Sequence, residues 1–290
     1  MDSLPIRPSD ASNRQYVSTD EINDLHTPVY KNLELFAAEG KDPNHRIVEV
    51  FGSSIAITNA GFTVISHGST YETPIAAQAL EFVSDNIGDA LNGVGAHEIT
   101  IKGLNENWER QTVVISTHAT DGTQAVPIPS TWLRVFEASV TKSGAYATLA
   151  TRSHLGTINI RYAGGGSIWA SILFSDIAHG KTQIGAYTIP KGETGYLDSI
   201  NVHTETNKDK AVNVFAFKRE GANIITPPYS AMKAFTEIIG VDGSVRVEKK
   251  TWQSGFPAYT DLGFLALKTT AGTANCSIDT QLLLVKDDLT

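Results

Sequence analysis

The residues best equipped for chemistry in this sequence are its histidines, and their spacing decides whether they can hold a metal ion. None of the eight histidines stands in an H-x-H or H-E-x-x-H pattern, the spacings that place two imidazole nitrogens on one metal. His97 and Glu98 are adjacent, so on a strand their side chains point to opposite faces and cannot easily share a ligand. The sequence therefore predicts neither a metal site nor any other cofactor.

The sequence also lacks the motifs of nucleophilic catalysis and of phosphate binding. It contains no G-x-S-x-G elbow, no P-loop and no G-x-G-x-x-G run, and Gly164-Gly165-Gly166 leads into a predicted strand rather than a helix that could receive a phosphate. A glycosidase-like pair needs two carboxylates held across a cleft. The acidic candidates come from strands whose spatial relation the sequence leaves open: Asp198, Glu205, Glu237 and Glu248. We predict that the protein is not an enzyme.

The tryptophans could instead stack on sugar rings. Trp132 and Trp169 are flanked by apolar residues of predicted strands, which indicates core positions. Trp108 and Trp252 lie beside polar stretches and are the better exposed candidates for a glycan contact. The alternative for these two is packing at the edge of a module.

A further candidate contact is the run Pro227-Pro228-Tyr229. Two consecutive prolines hold the backbone extended and donate no hydrogen bonds. We interpret the run as a rigid loop between strands, with a contact ridge toward a neighbouring subunit as the functional alternative.

Charge and hydropathy exclude several classes of partner. The chain carries 31 acidic and 23 basic side chains, a net charge of -8, and its Lys and Arg residues do not gather around aromatic residues. Binding to nucleic acid through phosphate neutralisation is therefore not expected. No segment approaches the ~20 apolar residues of a membrane span, and the N-terminus lacks the pattern of a signal peptide. We expect synthesis in a cytoplasm and no membrane partner. The single cysteine, Cys276, cannot form an intrachain disulfide.

The elements that must position these residues are predicted to be strands. From His45 onward, apolar and polar residues alternate with period two in short runs, and Gly, Asn and Asp separate the runs. The pattern predicts an all-β fold of two antiparallel β-sandwich, jelly-roll-like modules, spanning residues 45–175 and 176–290. The Asp242-Gly243 pair predicts a hairpin between two strands of the second module.

Residues 1–44 are predicted to form an extended N-terminal arm that can contain short helices. Its first 18 residues are polar, carry two prolines and show no apolar period, so they cannot fold alone. The isolated apolar residues of this stretch are expected to anchor it to a neighbour as an assembly arm: Leu4, Ile6, Tyr16 and Val17.

Two stretches resemble β-rich virion structural proteins of tailed, marine-type bacteriophages. Residues 87–108, with the run Ile99-Thr100-Ile101-Lys102-Gly103-Leu104-Asn105, are similar to a T-I-x-G-L-D strand of that family, and residues 110–113 take the place of its Y-x-E-x-x-E-T-V stretch. Residues 186–197 are similar to its Y-x-I-P-A-G-K-T-G-Y segment, although Lys191 and Glu193 replace the usual Ala and Lys. The resemblance lies within residues 85–290.

The resemblance implies a bacteriophage virion structural protein that decorates or cements the capsid, or sits at the tail, through protein–protein contacts. The alternative is a glycan-binding or receptor-binding β-sandwich module of a tail or head fibre. The implied partners are further copies of this chain, as a homotrimer that covers unpaired sheet edges, and other virion proteins such as the major capsid protein. The expected location is the virion.

Overall fold

The computed structural model describes residues 37, 40–68, 71–144, 153–174, 180–205, 211–224, 232–248 and 255–287. Regular structure in these residues is β almost throughout, which confirms the predicted all-β class. The strands are β1 (His45–Ile57), β2 (Thr63–Val64), β3 (Ser66–His67), β4 (Gln78–Ser84), β5 (Ala96–Leu104), β6 (Arg110–Ser116), β7 (Val126–Trp132), β8 (Arg134–Ser143), β9 (Ile158–Tyr162), β10 (Ile168–Ile172), β11 (Gln183–Ile184), β12 (Ala186–Thr188), β13 (Glu193–Glu205), β14 (Val212–Arg219), β15 (Lys233–Val241), β16 (Ser244–Glu248), β17 (Asp261–Lys268) and β18 (Ala274–Lys286).

Two of the sheets form a jelly roll. One has the strand order β1-β18-β13-β16, the other has the order β12-β17-β14-β15, and the short strand β2 also pairs with β17. If β2 and β12 are counted as one strand, the orders in chain sequence are 1-8-3-6 and 2-7-4-5, with every neighbouring pair antiparallel. This is the arrangement of an eight-stranded jelly roll.

The second strand of this jelly roll is interrupted by a second sandwich. Strand β2 pairs with β17 at Val64 and Leu265, and β12 resumes the pairing two positions further along β17, at Ala186 and Gly263. Between them, the short strands β3 and β11 pair with each other and form a two-stranded neck. The chain therefore leaves the jelly roll and returns to it within one strand.

The inserted sandwich comprises β4 to β10. Its two sheets have the orders β10-β9-β4-β7 and β6-β5-β8. Apolar residues from both sheets form one core, in which Trp132 and Trp169 are 0% and 2% exposed, as predicted for these two tryptophans. The jelly roll encloses a separate apolar core that contains the buried Cys276.

The nesting of the two sandwiches differs from the predicted division of the chain into residues 45–175 and 176–290. Strand β1, assigned to the first module, pairs along most of its length with β18, from His45 opposite Val285 to Ile57 opposite Ala274. An alternating pattern shows that a segment is a strand but does not specify its partner. The first described strand thus belongs to the same sandwich as the last.

The Asp242-Gly243 pair does not form the predicted hairpin. It joins β15 to β16, which lie in different sheets of the jelly roll. Gly243 adopts a φ of 95°, its N–H donates to Thr204 Oγ1 at 3.0 Å, and its carbonyl accepts from Thr204 N at 2.7 Å. The positive φ that makes this dipeptide a good hairpin turn serves equally well for a tight corner between two packed sheets.

Candidate functional site at the junction of the sandwiches

Trp108, a predicted glycan contact, lies at the junction of the two sandwiches. It sits in the turn between β5 and β6 with a φ of 63°, and its carbonyl accepts a hydrogen bond of 3.0 Å from Lys191 N of the jelly roll. The half-buried ring packs edge-on against Tyr259, with centroids 5.6 Å apart. The Arg134 guanidinium carbon lies 4.9 Å from the ring centroid. The surroundings of this ring are those of a packing residue at a module edge.

The other predicted contact residues lie outside the described residues: Trp252, Pro227, Pro228, Tyr229, Leu4, Ile6, Tyr16 and Val17. Their roles as glycan, subunit or assembly contacts stay predictions.

The centre of the junction is an ion pair between Arg134 of β8 and Asp261 of β17. Both residues are buried, at 0% and 3% exposure. Arg134 Nε donates to Asp261 Oδ1 at 3.1 Å and to Thr188 Oγ1 at 3.2 Å, and Nη2 lies 3.4 Å from Asp261 Oδ2. Nη1 donates to the carbonyl oxygens of Leu133 and Pro74 at 2.7 and 3.1 Å. Every guanidinium nitrogen therefore has an acceptor, as a buried charge requires.

Further residues complete this junction network. Arg219 of β14 donates to Asp261 Oδ2 through Nε at 3.1 Å and also through Nη2. Thr188 donates to Asp261 Oδ1 at 2.6 Å, and its hydroxyl lies 2.8 Å from that of Tyr71. Burial raises the pKa of the Tyr71 phenol, so that group stays protonated. The network ties residues of the inserted sandwich and its flanks to the jelly roll through directional bonds, and this fixes their relative orientation.

A cleft of about 650 Å³ opens beside the junction, between β1 and the sheet that contains β5, β6 and β8. Its walls carry both signs of charge, and Lys102 and Glu137 pair across 2.9 Å within it. Val48, Phe136 and Tyr187 contribute apolar surface. Mixed lining of this kind suits a segment of polypeptide better than a single charged ligand.

An adjoining cavity of about 340 Å³ contains the buried Glu193. Its Oε1 accepts from Arg110 Nη2 at 2.7 Å and from Arg46 Nη2 at 3.2 Å. Burial raises the pKa of the Glu193 carboxyl group, and the charge of Arg110 opposes that shift. Ala37 and Gly40, where the described part of the chain begins, line the same cavity.

A buried carboxylate also organises one end of the inserted sandwich, at the loop between β4 and β5. Asp89 is 1% exposed and accepts four hydrogen bonds. The donors are Ser84 Oγ at 2.6 Å, Leu155 N at 2.8 Å, and Ala96 N and Gly156 N at 2.9 Å each. The loop between β4 and β5 is thereby fixed against the residues that lead into β9. Its outer surface presents three aliphatic side chains: Ile87, Leu91 and Val94.

At the opposite end, the glycine turn predicted from the sequence encloses a carboxylate of β4. Gly164 N and Gly165 N donate to Glu81 at 2.9 and 3.2 Å, and Arg161 Nε donates at 2.8 Å. The bond from Gly164 and the contact with Arg161 hold the pKa of the Glu81 carboxyl group below its usual value, despite the opposing effect of burial. This turn thus stabilises a carboxylate of its own sandwich.

The described part of the chain lacks two further features. No group of three or more His, Cys, Asp or Glu side chains in it is arranged to hold a metal ion. No helix in it is long and apolar enough to cross a membrane.

The junction network was not predicted from the sequence. Arg134 stands in an apolar run, between Leu133 and Val135, and Asp261 is the first residue of β17, directly before its apolar residues. A charged residue in such a position marks a buried ion pair or a functional group, so these two residues could have been singled out from their apolar neighbours. Its partner could not be named, because the two residues are far apart in sequence.

Comparisons with known proteins give only low similarity. No protein-family model matches the chain, and no curated protein matches it in sequence. Among solved structures, the VP2 subviral particle of infectious bursal disease virus is similar at a TM-score of 0.23 and 9% identity, over 85% of this chain and 73% of that one. The structure of the Gt strain of the same virus has a TM-score of 0.21 and 8% identity, over 85% of this chain and 74% of that one. T=1 particles derived from the virus have a TM-score of 0.20 and 9% identity, over 84% of this chain and 70% of that one. These values assign neither a family nor a function to the chain.

Proposed function

We propose that the protein is a structural subunit of a virus particle that acts through protein–protein contacts and catalyses no reaction. The observation that carries the proposal is the jelly roll with a second sandwich inserted into one of its strands. Jelly rolls of eight strands build viral capsid domains, lectins and cupins. The fold thus offers three classes of function, and the residues of this chain have to discriminate between them.

A function inside the jelly roll would need space between its sheets. The cavity between them measures about 10 Å³, room for at most one water molecule. The facing residues are apolar and closely packed, as Val202, Val214 and Ile278 illustrate with exposures of 0 to 1%. Because the interior is packed, any binding takes place on the outer surface. This favours the capsid and lectin classes.

A lectin-like function would need an exposed aromatic platform. Trp108 is half-buried and packs against Arg134 and Tyr259, so only part of its ring is open to a sugar. The glycan-binding alternative then depends mainly on Trp252, outside the described residues. A particle subunit needs no such platform, and the described geometry supports it better.

The junction favours a mechanical role for the inserted sandwich. Its neck and the Arg134–Asp261 network hold it at a fixed orientation to the jelly roll. Its loop between β4 and β5, fixed by Asp89, presents Ile87, Leu91 and Val94. We assign the jelly roll to the wall of the particle and the inserted sandwich to a rigid projection that contacts other molecules through this loop.

The finer assignment rests on the resemblance of residues 85–290. It makes the particle a bacteriophage virion, in which the protein decorates or cements the capsid or sits at the tail. The proposed partners are two further copies of this chain and other virion proteins such as the major capsid protein.

We expect the purified protein to form a trimer. Multi-angle light scattering should give the mass of three 31.2 kDa chains, because closed symmetric assemblies cover exposed sheet edges. Gold-labelled antibody against the protein should decorate purified particles in electron micrographs. A stable monomer at micromolar concentration, together with unlabelled particles, would contradict the proposal.

Deleting residues 1–18 is expected to weaken incorporation into particles while leaving both sandwiches folded. Ordering such a segment costs about 1–2 kcal/mol per residue in backbone entropy, so contacts with other subunits must offset that cost. Quantitative gels of purified particles should show reduced occupancy, and the thermal midpoint of the isolated subunit should stay within about 2 °C of that of the full chain. Full occupancy, or a much lower midpoint, would show that these residues are not an assembly arm.

A further inference from the structure

The edges of the sheets differ in how well they are protected against an additional strand. An edge strand exposes unpaired N–H and C=O groups, and proteins blunt such edges with charges, prolines, bulges or short strands. Strand β15 has two register shifts against β14 and exposes Lys233 and Glu237. Strand β7 contains Pro127 and Pro129 and has one register shift. Strand β10 has five residues and a shift, and β16 has five residues with an exposed Arg246.

Strand β6 has none of these protections along most of its length. It pairs with β5 in continuous register from Arg110 opposite Leu104 to Ser116 opposite Glu98, without a bulge. From residue 111 to residue 116 it contains no charge and no proline. Val114 is 59% exposed, and Thr112 is exposed on the same face. Within the described residues, β6 pairs with β5 alone, so its other side is a sheet edge. Its sequence and geometry are those of an edge that accepts a strand.

The surroundings of β6 restrict what can be added to it. Arg110, its first residue, lies 2.7 Å from Glu193, so the jelly roll stands directly at the start of the strand. In an antiparallel pair of two β6 strands, the Ser116 end of the partner's strand, together with its sandwich, would lie beside that jelly roll. A single extended segment needs only about 5 Å beside the edge, so it requires less room there than a second sandwich.

The N-terminal segment of this chain is a suitable occupant. Residues 1–36 precede the described chain, and its first described residues, Ala37 and Gly40, line the same cavity as Arg110. Fully extended, 36 residues span up to about 120 Å, enough to reach another subunit. In a closed symmetric assembly, every copy supplies one such segment and one β6, so each edge can be covered once.

We propose that β6 is a strand-addition site that binds the N-terminal segment, residues 1–36, of a neighbouring copy of this chain. The inference rests on the proposed assembly function and gives the assembly arm its docking site. Main-chain hydrogen bonds along β6 supply the affinity, and the exposed Thr112 and Val114 offer one face for side-chain contacts.

Photo-crosslinking of the assembled full-length protein tests the site. A benzophenone amino acid replaces Thr112, and the matched control carries it at Ile239, which is 69% exposed on the protected edge β15. Protein is assembled from equal amounts of light and heavy isotope-labelled chains. We expect crosslinks from position 112, and not from position 239, to residues 1–36 in pairs that combine light and heavy peptides.

A charge on the edge provides a second measurement. Val114→Lys should speed amide exchange of residues 1–36 in the assembled protein by on the order of 10-fold, because a lysine on an edge strand disfavours strand addition. Ile239→Lys should leave that exchange unchanged. Crosslinks confined to pairs of one isotope, crosslinks to β6 of a second copy or to another segment, or equal exchange in the two variants would each overturn the inference. If no oligomer forms at all, the proposed assembly function fails instead.

Discussion

Replacing Asp261 with alanine is expected to lower the free energy of unfolding by about 3–5 kcal/mol, because it leaves the buried guanidinium of Arg134 without a counter-charge. Asp261 accepts hydrogen bonds from Arg134, Arg219 and Thr188. Removing it therefore leaves several donors unpaired at the junction. Urea denaturation followed by tryptophan fluorescence measures the change, and Trp108 reports on the junction itself through its contact with Arg134.

Two further variants separate the buried charge from other causes. Glu137→Ala removes the acid of the partly exposed pair with Lys102 and is expected to cost less than about 1 kcal/mol. The double variant Arg134→Met, Asp261→Leu removes both buried charges and should be more stable than Asp261→Ala alone, since an apolar pair leaves no fully buried ion without a counter-charge and Arg219 is partly exposed to water. If Asp261→Ala costs no more than Glu137→Ala, the network does not hold the sandwiches together.

Replacing Asp89 with alanine is expected to cost about 3–5 kcal/mol as well, since each buried donor left without an acceptor costs about 1–3 kcal/mol and partial relaxation recovers some of it. Four donors lose their acceptor: Ser84 Oγ and the backbone N–H groups of Ala96, Leu155 and Gly156. Asp89→Asn keeps one acceptor oxygen and should cost less. The urea midpoint gives the overall change, and hydrogen exchange shows whether the loop between β4 and β5 opens first.

Asp85 provides the matched control for Asp89. It lies in the same loop but is exposed, and it accepts one hydrogen bond, of 2.8 Å, from Thr157 N. Asp85→Ala should cost no more than about 1 kcal/mol. Equal losses for Asp85→Ala and Asp89→Ala would show that burial of the Asp89 carboxylate does not determine the stability of the loop.

Local pattern predicted the strands well and their partners poorly. The alternation over residues 97–102 indicated a strand, and the structure has β5 at Ala96–Leu104. Alternation is a property of one segment, since it reflects one face turned to a core. The pairing of β1 with β18 and the interruption between β2 and β12 depend on contacts across most of the chain, which no local pattern encodes.

For the candidate site, too, the sequence indicated a residue but not its contacts. Trp108 was identified from its polar neighbours in sequence, but its contacts come from Arg134 and from Tyr259, a residue of the jelly roll. Polar neighbours in sequence therefore did not imply an exposed ring. The weak protection of β6 is visible in its composition, yet its position at an edge depends on the order of strands in the folded sheet.

The nested topology also sets an order in which the chain can fold during synthesis. All strands of the inserted sandwich lie within residues 78–172, so that unit is complete when little more than half of the chain has emerged from the ribosome. The jelly roll cannot close until β18 is available for β1. At about 5–20 residues per second, β1 waits for roughly 10–50 s for its partner. The inserted sandwich is therefore expected to fold first, with its apolar core already shielded while the jelly roll still lacks its last strand.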